Sequence, residues 1–265
     1  MMNMTETVKQ LLIINVLFFI GSYFVPQANE LLSLHYFESD GFKFWQPISH
    51  MFMHGSPMHI FFNMFALVTF GSALEQFWGA KKFLFFYFSC GIGAALVHSG
   101  VDYYQIHSLL GEVQNTAITS TDIHTILNTN VVIGNRIDGQ LLIDNAAPIL
   151  ERLKINQSDF NLLLEATIKN QSQAVGASGA IYGLLVAFAF MFPNAELSLM
   201  FIPVPVKAKY FVPVIVLIDL FSGVTGYSLF GGGVAHFAHV GGALFGFLMM
   251  WYWKKNQFDK NRWDR

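Results

Sequence analysis

Charge and cysteine are what this chain has least of. Across 265 residues only 12% are Asp, Glu, Lys or Arg, and there is a single cysteine, Cys90, inside an apolar run. One thiol excludes a disulfide framework within the chain and a thiolate metal site. No basic run interleaved with aromatics occurs, which argues against a nucleic-acid partner. What fills the chain instead is apolar: 54% hydrophobic residues, with Phe dominating the aromatics. That composition belongs to the membrane class.

A bilayer core takes roughly 20 mostly apolar residues per spanning helix. Six stretches meet or approach that length, at about Val8–Val25, Met58–Trp78, Phe83–Val101, Ser178–Phe192, Tyr210–Val224 and Ala235–Trp253. The first lacks the small-residue cleavage site and polar stop of a removable signal peptide and reads as a retained signal-anchor. Lys9, Lys81, Lys82, Lys207, Lys209, Lys254, Lys255, Lys260, Arg262 and Arg265 all fall on one side of a six-span arrangement. The positive-inside rule makes that side the cytoplasm, with both termini inside, and a bacterial inner membrane is the expected location.

The expected organisation is three spans in 1–101, an outer insertion over 102–173, three more spans in 174–253, and a cytoplasmic tail at 254–265. The insertion is rich in Asn, Gln, Thr, Ser and Asp, with amphipathic pieces at Ala147–Lys154 and Asp159–Lys169, the second preceded by Ser158 as an N-cap. Short helices packed over the membrane domain are expected there, with a partly disordered loop as the alternative. The first outer loop, Pro26–Pro57, mixes Leu34, Phe37, Phe44 and Trp45 with a few charges and reads as interfacial.

The fourth span is short for a bilayer. A helix over Ser178–Phe192 is roughly 22 Å long against a core of about 30 Å, so it must begin below the surface, inside protein or beside a water-filled cavity. Its start, Gly176-Ala177-Ser178-Gly179, puts a hydroxyl at a helix N-terminus, where free N–H groups and the dipole favour negative charge. A nucleophile there carries part of its own oxyanion hole. A plain N-cap is the competing reading of Ser178.

The last span places His239 in an apolar helix, and intramembrane ionisable groups are costly enough to be functional candidates. His239, Gly242 and Gly246 share a face, and Gly179, Gly183 and Ala187 form a small face on the fourth span. Two such faces allow close backbone approach, bringing a Ser hydroxyl within reach of an imidazole. In the second span, His59 and Asn63 lie four apart, so two donors could converge on one oxyanion. His50 and His54 are also four apart, but no carboxylate or cysteine in that span completes a metal-ligand set, and no metal or other cofactor is expected.

Together these residues resemble the rhomboid intramembrane serine proteases. The resemblance rests on the His50/His54/His59/Asn63 run, the Gly176-Ala177-Ser178-Gly179 start, and Ala238-His239 followed by Gly242 and Gly246. It implies an all-α, six-transmembrane-helix bundle with a short central fourth helix, cutting transmembrane segments of other membrane proteins near their outer end. It further implies Ser178 as nucleophile and His239 as base. Tyr182 would stack on His239 in place of a third triad member, with no Asp required. His59 and Asn63 would be oxyanion donors, with His54 and His50 supporting. Glu75 matches a structural glutamate of the family, and His236 would be a neighbour at the cavity mouth. Trp45-Gln46 departs from the family's Trp-Arg, and the insertion between spans three and four is unusually long. The alternatives are a rhomboid-like pseudoprotease that binds membrane proteins without cutting them, and a His-lined proton or metal transporter for which Asp219 is the one carboxylate in the fifth span.

Overall fold

The computed structural model describes residues 4–133, 136–199, 202–227 and 235–254. The cationic residues expected beyond Lys254 lie outside them. In chain order the helices are α1 (Glu6–Phe24), α2 (Gln27–Leu32), α3 (Gln46–Ser49), α4 (Pro57–Ala66), α5 (Ser72–Trp78), α6 (Ala80–Glu112), α7 (Ser120–Leu127), α8 (Gly139–Leu153), α9 (Gln157–Gln171), α10 (Ser178–Met191), α11 (Ala208–Thr225) and α12 (His236–Trp253). Strands among the described residues form three antiparallel pairs. They are β1 (Leu34–His35) with β4 (Gln173–Ala174), β2 (Val132–Ile133) with β3 (Arg136–Ile137), and β5 (Glu196–Leu199) with β6 (Ile202–Lys207).

The protein is an all-α integral membrane protein. α1, the run Pro57–Trp78, α6 and α11 are each long and apolar enough to cross a bilayer. The 14-residue α10 is apolar but short, and with the 18-residue α12 the set fits six spans. α6 reaches Glu112, well past the expected end near Val101. Its last part, Asp102–Glu112, breaks the apolar run with Asp, Gln, His and Ser while the helix continues, so run length underestimates it.

The chain divides into two compact units, Met1–Leu32, Pro47–His98 and Val175–Arg265 in one, Ser33–Gln46 and Ser99–Ala174 in the other. In the first, the core runs through Val8, Met51, Leu67, Leu74, Phe83, Phe86, Leu184 and Ala187. The helix from Pro57 to Trp78 carries a π-turn at Leu67–Gly71. A Cβ on Gly71 would lie 3.1 Å from Val8 Cγ2, so this glycine admits α1.

One turn on, Glu75 closes the start of α1. Its carboxylate accepts from the Thr5 hydroxyl and from the backbone N–H groups of Thr7 (3.2 Å) and Val8 (3.1 Å). Those N–H groups have no intrahelical acceptor, and a buried anion at a helix N-terminus satisfies both hydrogen bonding and dipole. Glu75→Ala is expected to lower stability by about 2–3 kcal/mol, the scale of losing hydrogen bonds to a charged group, read as a shifted unfolding midpoint in detergent.

The second unit has its own core of Ile126, Val131, Leu142, Ala146 and Leu163. A capping box between Thr119 and Asp122 starts α7, and Arg152 from α8 reaches the same carboxylate at 2.5 Å. The cap of α9 is Asn156, whose Oδ1 accepts from Asp159 N–H at 2.9 Å, and not Ser158. Asp159 in turn accepts from Gln114 N–H, an outside bond that favours the earlier start. Gln46 is fully buried, accepting from His35 N–H at 3.2 Å and donating to Gly41 O at 3.0 Å. The amide that stands where an Arg was expected therefore folds the Ser33–Gln46 segment on itself.

Candidate active site

α10 and α12 pack closely because both present glycine. A Cβ on Gly242 would run into the Gly179 carbonyl, and one on Gly246 would lie 2.7 Å from Gly183 Cα. On its other side α10 meets α6, where a Cβ on Gly179 would come 2.5 Å from Ala94 Cβ. Ala187 continues this face fully buried. The backbones touch, and a serine at the start of one helix therefore faces a histidine at the start of the other.

Ser178 is the first residue of α10, and His239 Nε2 lies 2.8 Å from its Oγ. Ahead of it, Gly176 adopts φ +122°, a region that L side chains avoid. Its N–H donates to His50 O at 2.9 Å, and a Cβ there would sit 2.7 Å from His59 Nε2. The turn into Ser178 therefore requires glycine for both conformation and space, and it brings the His59 ring against the Gly176–Ser178 loop.

His59 is placed by local rules. Ser56 caps α4, accepting from His59 N–H at 3.1 Å, and Pro57 occupies the first turn. Gly55 N–H donates to His59 Nδ1 at 3.4 Å, which leaves Nε2, the atom facing Gly176, to carry the hydrogen. Asn63 is buried, and its amide donates to His59 O at 2.8 Å. One amide hydrogen is thus spent on the helix and one remains. His54 sets its ring edge-on to His59, with centroids 5.1 Å apart. Burial pushes its pKa down to about 4, so at neutral pH it adds no charge beside His59. His50 is buried and contributes its carbonyl to the Gly176 turn.

Tyr182, one turn beyond Ser178, stacks on His239 with centroids 4.3 Å apart and planes 10° from parallel. Sequence reasoning stops there, having weighed Asp219 only for the transporter alternative. Asp219, on α11, is 5% exposed and lies with Oδ1 3.1 Å from His239 Nδ1, while its Oδ2 accepts from the Tyr182 hydroxyl. His236 is buried as well, with Nδ1 2.5 Å from the same Oδ1. Asp219 is visible in the sequence as an acid in an apolar run, which marks function by default. Nothing in the spacing of an almost uniformly apolar helix says which way that acid turns.

Asp219, His236 and His239 could each offer one metal-ligand atom within 4.8 Å of the others. Hydrogen bonds among these same atoms already account for the cluster.

Residues 41–111 and 158–256 match the family model of the Rhomboid domain, more than half of the chain. The chain belongs to the rhomboid family. Among curated relatives, this rhomboid is 37% identical over 82 residues to Rhomboid protein 1, mitochondrial, of Saccharomyces cerevisiae, covering 31% of this chain and 22% of that protein. It is 28% identical over 167 residues to Rhomboid protease AarA of Providencia stuartii, covering 55% of each. To the uncharacterized rhomboid protein P4H10.10, mitochondrial, of Schizosaccharomyces pombe it is 27% identical over 225 residues, covering 80% of this chain and 52% of that one. This rhomboid spans about half the length, or less, of these relatives. Two are mitochondrial and one bacterial, so they do not single out the bacterial inner membrane expected from sequence.

Proposed function

We propose that this rhomboid is an intramembrane serine endopeptidase that cuts transmembrane segments of other membrane proteins. The observation that carries the reading is the 2.8 Å approach of His239 Nε2 to Ser178 Oγ at the head of a short buried helix. A helix cap needs no imidazole there. A nucleophile does.

The hydroxyl gives its proton to His239 Nε2 as Oγ attacks a peptide carbonyl. The resulting oxyanion is held by His59 Nε2–H, the remaining Asn63 amide hydrogen and the Ser178 N–H. His239 then protonates the departing amine, and water releases the acyl-enzyme by the reverse sequence. The substrate enters sideways by α11, whose Tyr210, Val214, Leu217, Phe221 and Val224 are exposed while Val212, Asp219 and Ser222 are buried. Helix-weakening Gly or Pro in the substrate frees the bond, because an intact helix hides its carbonyls. The termini and Lys-rich connections lie on the cytoplasmic side and the 102–173 insertion on the outer side. No bound cofactor takes part in these steps.

The test is reaction of the purified protein with a fluorophosphonate. A covalent adduct on the peptide containing Ser178, with cleavage of a reporter transmembrane segment, is expected. Absence of both would leave the pseudoprotease reading in place, and ion flux without an adduct would favour the transporter.

A further inference from the structure

We propose that Asp219 is a positioning residue for His239, completing a Ser–His–Asp arrangement with Tyr182 and His236 as the groups that hold the carboxylate. The proposal rests on Ser178 and His239 being the protease pair. It adds the element that decides which nitrogen of His239 carries the proton.

A neutral imidazole has two tautomers, and only one can accept a proton from Ser178. With the hydrogen on Nε2 the ring would donate to Oγ and be useless as a base. Asp219 Oδ1, 3.1 Å from Nδ1, selects the Nδ1–H form, because an ionised carboxylate only accepts hydrogen bonds. That leaves the Nε2 lone pair directed at Ser178 Oγ. As the proton moves from Oγ to Nε2, His239 becomes an imidazolium, and the carboxylate stabilises it without taking the proton. In a buried site that stabilisation is much larger than in water.

Asp219 can do this only if it is itself held, since a carboxylate 5% exposed would otherwise lack partners. Three donors supply them, His239 being the first. His236, one turn before His239 on α12, reaches Oδ1 at 2.5 Å, and Tyr182 donates to Oδ2. Tyr182 thereby fixes His239 twice, pressing on its face by stacking and steadying the acid at its edge. Tyrosine and aspartate act in series, and Tyr182 does not stand in for the acid.

Asp219→Asn keeps the volume and removes the charge. It is expected to lower kcat about 10²–10⁴-fold with little change in KM, and to slow fluorophosphonate modification of Ser178 by the same factor, with the unfolding midpoint retained. His236→Ala removes one of three donors and is expected to cost far less. A merely structural Asp219 would instead lower the midpoint and leave per-molecule kcat unchanged. Should Asp219→Asn fail to fold, ¹⁵N-histidine NMR of the unmodified protein decides the matter. His239 as the Nδ1–H tautomer with a downfield Nδ1 proton supports the proposal, and the Nε2–H tautomer overturns it. Modification of Asp219→Asn at the unmodified protein's rate also overturns it while leaving the protease reading intact. Failure of the unmodified protein to react or cleave removes both.

Discussion

Ser178→Ala is expected to reduce cleavage of a reporter transmembrane segment to background, a loss of about 10⁴-fold or more, while the protein accumulates in the membrane at its usual level. The size follows from the proposed role of Ser178 as nucleophile. Removing a nucleophile leaves only binding and oxyanion stabilisation, and members of a catalytic unit are not additive, so His239→Ala should do nearly as much damage and the double substitution little more. The fold should barely notice. Ser178 donates no cap to α10, its neighbours Ala177 and Gly179 carry the packing, and one lost side-chain hydrogen bond is worth only about 1 kcal/mol. Comparing reporter cleavage with the unfolding midpoint in detergent separates the two effects. Cleavage persisting in Ser178→Ala would remove the serine from the mechanism.

Gly242→Val should fail in the opposite order, losing fold and activity together. A Cβ at this position falls on the Gly179 carbonyl, which belongs to a backbone and has no rotamer to move into. α12 must back away from α10. Overpacking a well-filled interior typically costs about 1–3 kcal/mol, and a collision with main chain belongs at or above the upper end. His239 sits one turn before Gly242 on the same helix, so any retreat lengthens the 2.8 Å contact with Ser178. A misplacement of about 1 Å costs on the order of 10²-fold in rate. Gly242→Ala should be intermediate. A Gly242→Val protein with the unmodified midpoint and cleavage rate would show that the helices do not need this contact.

Much of this was legible in the sequence because the signals are local or periodic. The shortness of α10 and the glycines at Gly179, Gly183, Gly242 and Gly246 follow from counting along helices, and the family resemblance chooses His239 over His236 as the partner of Ser178. Glu75 reads as a structural group and is one. What counting could not supply was rotation. α11 is apolar nearly all round, so its pattern leaves Asp219 without a direction, and from sequence the acid fits an ion path as readily as a protease site. Its three hydrogen bonds come from residues on α10 and α12, which only tertiary packing brings together. The last part of α6 and the cap of α9 escape sequence reasoning for a simpler cause. An apolar run marks how far a lipid-facing surface extends, and a helix can outlast it. A Ser before an amphipathic stretch is a valid cap signal, but Asn156 two residues earlier is equally valid and gains the Gln114 bond to Asp159.

The chain's only cysteine lies at the place where a Cβ on Gly183 would strike, in the wall between α6 and α10. A thiol there is shielded from reagents while those helices remain together and becomes available when they part. Because no other thiol competes, alkylation of Cys90 would report the frequency of opening beside α10 without any engineered label.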